Sequence, residues 1–125
     1  MIRLRAALAA ASILSAFLCS ACHSYHIDAT IENRTGAPIQ LLEVDYPSAS
    51  FGADSLASDA VFHHRFQVTG SGPLKISYTA ANGKTVQISG PALAERQQGT
   101  LEITLEPGGK AEFHPQLAPL GSPPA

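Results

Sequence analysis

Tryptophan is absent, cysteine occurs twice, and aromatic residues make up only 6% of the 125-residue chain. Charge is sparse as well, at 14%, with 8 basic against 10 acidic residues and a formal net charge of −2. So little positive charge and so few stacking rings leave no footprint for nucleic acid. Enzyme signatures are missing too: there is no G-x-S-x-G, no H-E-x-x-H and no phosphate-cradling glycine loop. No catalytic activity and no cofactor are expected. The length suits one compact domain and leaves no room for a second core.

What the chain does have begins at its N-terminus. Arg3 and Arg5 precede an uncharged, alanine-rich run from Ala6 to Ala21, the charged-then-apolar order of a secretory signal. The run is short for a bilayer span. Residues 1–21 are therefore expected to be removed. Ser20-Ala21-Cys22 offers small residues before a cysteine, with Cys19 where a leucine is usual, and it resembles the lipobox of bacterial lipoproteins. By that resemblance Cys22 is acylated on its thiol and becomes the new N-terminus. Ordinary signal peptidase would cut at the same bond and leave Cys22 bare. An unpaired thiol in an oxidising compartment is a liability that acylation removes. His23 stands where an aspartate would signal inner-membrane retention, so the resemblance implies a lipid-anchored protein of the outer membrane facing the periplasm. Its partners would be the membrane, through the lipid, and an envelope protein.

Cys19-Ser20-Ala21-Cys22-His23 also reads as C-x-x-C-H, the attachment motif of c-type haem. Cleavage before Cys22 would split that motif, and the residues downstream are strand-like, so haem is not expected. A thioredoxin-type use of the same cysteines lacks its βαβ setting.

From His26 onward apolar residues alternate with polar ones. Ile27, Ala29 and Ile31 share one face of a first strand. A second runs from Pro38 to Tyr46, with a phase shift that predicts a bulge at Leu41-Leu42. A third covers Val61–Val68. Leu74, Ile76 and Tyr78, then Asn82-Gly83, then Val86 and Ile88 predict a hairpin with a two-residue turn. Ala92–Arg96 is compatible with one turn of helix. Leu101, Ile103 and Leu105 mark another strand, and Ala111 and Phe113 a last one after Pro107-Gly108-Gly109. About seven short strands, each with one apolar face, require two packed sheets. The expectation is an all-β fold, a small antiparallel, immunoglobulin-like β-sandwich over residues 26–114, behind a lipidated tether at 22–25. The proline-rich segment 115–125 is expected to be disordered. The whole chain is similar to small bacterial lipoproteins carrying a single immunoglobulin-like domain of unassigned activity.

Candidate chemistry is limited. Among the five histidines, His63 and His64 are adjacent on a strand and point to opposite faces. His64, in phase with Phe62 and Phe66, is expected between the sheets. His63 and His114 face outward, and would meet only if their strands are neighbours; a periplasmic copper- or zinc-handling protein is the alternative they define. The tether histidines His23 and His26 read as solvated spacer. Glu43 and Asp45 read as a soluble outer face, and Asn33-Arg34-Thr35, although an N-x-Thr sequon, as turn chemistry. The segment Pro47–Ala60 is long for a connection and is read as a loop. In it Phe51, among small neighbours, suits a partner contact, while Phe51 or Leu56 could equally fold back as a plug onto the core. The plug is favoured.

Overall fold

The computed structural model describes residues 25–119. They form eight strands: β1 Ile27–Asn33, β2 Ile39–Tyr46, β3 Ala49–Leu56, β4 Val61–Phe66, β5 Gly72–Thr79, β6 Thr85–Leu93, β7 Gln97–Glu106 and β8 Lys110–Pro119. One sheet has the order β4-β1-β7-β8 and the other β3-β2-β5-β6, so the protein is an all-β sandwich, as the alternation of residues required. All ladders are antiparallel except β1 with β7, which is parallel. An immunoglobulin constant domain groups strands 1, 2, 5 and 4 against 3, 6 and 7. The likeness to that fold is therefore one of architecture, and the strand order differs.

The alternating apolar residues meet in the middle. Ile27, Ala29, Ile31, Leu101, Ile103 and Leu105 come from the first sheet, and Ile39, Leu42, Val44, Leu74, Ile76 and Tyr78 from the second; all are buried. Phe66 lies inward as expected, whereas Gln67 is exposed and Ser77 half-buried. The bulge predicted in β2 is present: the register against β5 slips between Gln40 and Glu43.

Four expectations are corrected. The segment from Pro47 to Ala60 is not a loop, because Ala49–Leu56 pairs with β2 along its whole length, from Tyr46↔Ala49 to Ile39↔Leu56. Pairing overrides the weak strand preference of its Ala, Ser, Gly and Asp residues. Ala92–Arg96 is no helix: Leu93 is a core residue at the end of β6, and Ala94–Arg96 is a tight turn with Arg96 at φ 64°. Five helix formers are too few to nucleate a helix against such an anchor. The hairpin after β5 has a three-residue loop: Ala80 C=O accepts from Gly83 N–H, Ala80 N–H donates to Lys84 C=O, and Gly83 has φ 82°. This is a type I turn followed by a left-handed glycine. Finally, β8 continues past His114 to Pro119, into the segment expected to be disordered. Prolines are tolerated there because β8 is an edge strand, and Leu117 packs against the core.

Gly99 permits that extension. A Cβ at this position, where φ is 135°, would collide with the Gln116 carbonyl of β8. On β6, the edge of the other sheet that lies beside β8, Gly90 leaves room for the Phe113 ring.

Asn33 is the one buried polar side chain among the described residues. Its Nδ2 donates to the carbonyls of Ala37 (2.9 Å), Leu56 (3.0 Å) and Ala57 (3.1 Å). Its Oδ1 accepts from the Thr35 amide (3.1 Å) and the Thr35 hydroxyl (2.6 Å). The carboxamide thus satisfies both connections that cross between the sheets at this end, β1 to β2 and β3 to β4. Leaving a buried donor or acceptor unpaired costs about 1–3 kcal/mol each. Asn33→Ala is expected to lose at least about 3 kcal/mol in urea denaturation, because it orphans several such groups at once. The neighbouring Arg34→Ala, which removes only an exposed ion pair with Glu32 at 2.9 Å, should change stability by no more than about 1 kcal/mol.

Candidate interaction surface

Both sheets end on the same side of the sandwich in strands that do not pair with each other, β3 and β4. Side chains close the gap. Phe51 of β3 stacks on His64 of β4 with ring centroids 4.2 Å apart and planes 21° apart. It also lies tilted 5.3 Å from Phe66 and stacked 6.3 Å from Phe62. Tyr46 adds a contact of 4.5 Å with Phe66. Edge-offset rings of this kind contribute beyond simple burial. Phe51 is therefore a plug between the sheets, placed there by a strand and not by a loop. Its ring stays half-buried, so one face borders the surface.

That surface is a wide, shallow groove of about 630 Å³ that runs along β3. Leu41, Phe51 and Phe62 supply its apolar part and Glu43, Ser50 and Asp54 its polar part. Leu41 is the feature that alternation alone does not reveal. It sits at the β2 bulge with φ 53° and is 65% exposed. A left-handed conformation costs an L-residue roughly 1–2 kcal/mol, and a bulge re-aims its side chain. Backbone strain is thus spent on presenting a leucine to solvent. The phase shift in the sequence locates the bulge, but does not say which of the two leucines turns outward.

Gly52, opposite Glu43 in the ladder, is required for close approach of β3 to β2: a Cβ there would collide with the Leu42 carbonyl. Beside it, a hydrogen bond to Asp45 and the charge of Asp45 hold the Glu43 carboxyl above its ordinary value. Asp45 faces Lys75 across the β2–β5 ladder.

The histidines do not converge. His63 lies opposite Thr30, Thr30 opposite Glu102, and Glu102 opposite His114. The two histidines therefore occupy opposite edges of one sheet, three inter-strand spacings or about 14 Å apart. Their strands are not neighbours, and the joint site that the metal alternative needs does not form. His63 instead lies 3.4 Å from the Thr30 hydroxyl, and His114 3.5 Å from Glu112. His64 is half-buried between the sheets, as its phase implied. Cys22 and His23 lie outside the described residues.

Comparison with known protein families finds no match, and comparison with curated proteins finds none. Among solved structures, the chain resembles the NMR structure of a protein from Eubacterium rectale, with a TM-score of 0.52 and 11% sequence identity over 71% of this chain and 86% of that one. A likeness at that identity concerns the two-sheet fold alone.

The strain at Leu41 and the separation of the histidines can each be measured. Leu41→Gly should leave stability unchanged or raise it by up to about 1 kcal/mol, because glycine relieves the left-handed strain. Leu42→Ala, one residue along and buried, should cost about 2–5 kcal/mol in the same urea titration. Isothermal titration with zinc or copper should show no stoichiometric site dependent on His63 or His114. A one-to-one site abolished by His63→Ala and equally by His114→Ala would contradict the separation of their strands.

Proposed function

We propose that the chain is a lipid-anchored protein of a bacterial cell envelope, held at the outer membrane and facing the periplasm, that acts as a binding or structural module without catalysis. The observation that carries this reading is the order of features at the N-terminus. Two arginines, an apolar run and Ser20-Ala21-Cys22 stand immediately ahead of a folded domain whose first strand starts at Ile27. After removal of residues 1–21 the chain loses Arg3 and Arg5, and its formal charge falls from −2 to −4. No polybasic patch then holds it to an anionic membrane, so attachment falls to the acyl chains on Cys22. Several such chains anchor a protein where one would exchange off. The tether from Cys22 to Ile27 reaches about 15–18 Å when extended, which keeps the domain close to the lipid surface. The shallow groove beside β3, with its strained and exposed leucine, supports a binding role over an enclosed small-molecule site.

The test is processing in a Gram-negative host fed with labelled palmitate. The wild-type chain should be cleaved, incorporate label and sediment with the membrane fraction, and Cys22→Ser should do none of these. A cleaved Cys22→Ser product that still fractionates with the envelope would overturn the lipid anchor.

A further inference from the structure

Four strands end the two sheets, and three of them carry features that resist the addition of another strand. β6 contains Pro91, β8 contains Pro115 and Pro119, and β4 presents His63 and Arg65, the latter paired with Asp28 at 2.8 Å. Proline, charge and bulges are the usual means by which sheets blunt their edges. β3 has no proline and a single charge, Asp54, over its eight residues. An open edge of that length offers a row of backbone donors and acceptors to an extended peptide.

The surroundings of β3 specify what such a peptide carries. On the inner side Phe51 and Phe62 leave their half-buried rings at the rim, and the exposed Leu41 flanks the same groove. On the outer side the charges of β2 and β3 are Glu43, Asp45 and Asp54, with only Lys75 of β5 opposite Asp45 to offset them. A second copy pairing β3 on β3 would gather two such acidic sets on one continuous face, and like charges on neighbouring strands are destabilising. A cationic segment meets no such opposition.

We propose that the free edge of β3 receives an extended segment of another polypeptide as an added strand, with lysine or arginine side chains beside Asp54 on the outer face and apolar side chains continuing the Phe51–Phe62 layer on the inner face. This rests on the reading of the domain as a binding module and gives it a partner chemistry. Backbone pairing supplies the register, Leu41 and the ring edges supply apolar contact, and the three carboxylates select the charge.

The experiment is hydrogen–deuterium exchange of the full chain in non-ionic detergent, with a short synthetic peptide alternating lysine and valine and its counterpart alternating glutamate and valine. The lysine peptide should slow exchange within residues 49–56, and the glutamate peptide should not. Leu41→Gly should weaken the lysine peptide about fivefold, the loss of about 1 kcal/mol of apolar contact. Asp54→Lys should abolish protection by that peptide while exchange in the other strands stays as in the wild type. Equal protection by both peptides, protection at another edge or none at all would overturn the proposal. So would concentration-dependent protection of 49–56 without peptide, which would assign the edge to a second copy. Photo-cross-linking in native membranes separates this from the broader reading. A protein captured from another face of the domain would leave the binding module standing and remove the β3 site, whereas absence of any captured protein from every face would remove both.

Discussion

The sandwich depends on a single carboxamide that has to be buried for its corner to close. Asn33 ends β1, whose successor β2 belongs to the other sheet, and its amide nitrogen reaches the carbonyls of Leu56 and Ala57, where β3 gives way to β4 in the first sheet. Two crossovers that are remote in sequence are thereby satisfied by one side chain. Backbone bonds reinforce it: Asn33 N–H donates to Ala60 C=O at 3.0 Å, and Asp59 N–H to Asn33 C=O at 2.7 Å. A crossover between sheets leaves its carbonyls unpaired by either ladder, and in a dry corner water cannot serve them. An apolar residue at position 33 would fill the space and leave those groups stranded. The same burial accounts for the Asn-x-Thr pattern, since Thr35 is bound to Asn33 Oδ1 within the turn.

Much of the fold is legible in the chain wherever large apolar residues alternate. β2, β5 and β7 each contribute three such residues to the core and β1 contributes two with Ala29 between them, and their phases match their burial, including the slip at the β2 bulge. The parts that are not legible depend on physics that periodicity does not sample. β3 contributes only Phe51 and Leu56 as large apolar residues, out of phase with each other, and becomes a strand because β2 offers it a partner. The continuation of β8 through Pro115 depends on its being an edge, which is a property of strand order. Asn33 reads as one more turn residue, because burial of a polar group is visible only once its acceptors have been assembled. Of the candidate site, Phe51 is legible as an isolated ring among small neighbours. Leu41 is not, since alternation places a leucine at a bulge without saying whether it faces the core.

The surface beside β3 and the structure of the opposite edge share one constraint, that two curved sheets leave open sides. On the β6/β8 side Phe113 fills the gap beside Gly90, and prolines line the strands. On the β3/β4 side Phe51 and His64 fill the gap, yet the outermost strand is short of bulk, charge and proline. The asymmetry distinguishes a finished border from an unfinished one. It also places Leu41, with its backbone in an unfavourable conformation, at the unfinished border, where strain is commonly retained for a purpose outside folding.

The position of β1 bears on how the molecule carries load. The chain enters the domain at Ile27, and the strand it enters is internal to its sheet, matched residue by residue with β4 on one side and β7 on the other. A pull applied at the N-terminal end of β1 along its axis loads that strand lengthwise. It therefore shears two ladders simultaneously instead of peeling one bond at a time from an edge. In the lipid-anchored form proposed above, tension from the membrane would meet both of these ladders before it reached any edge strand.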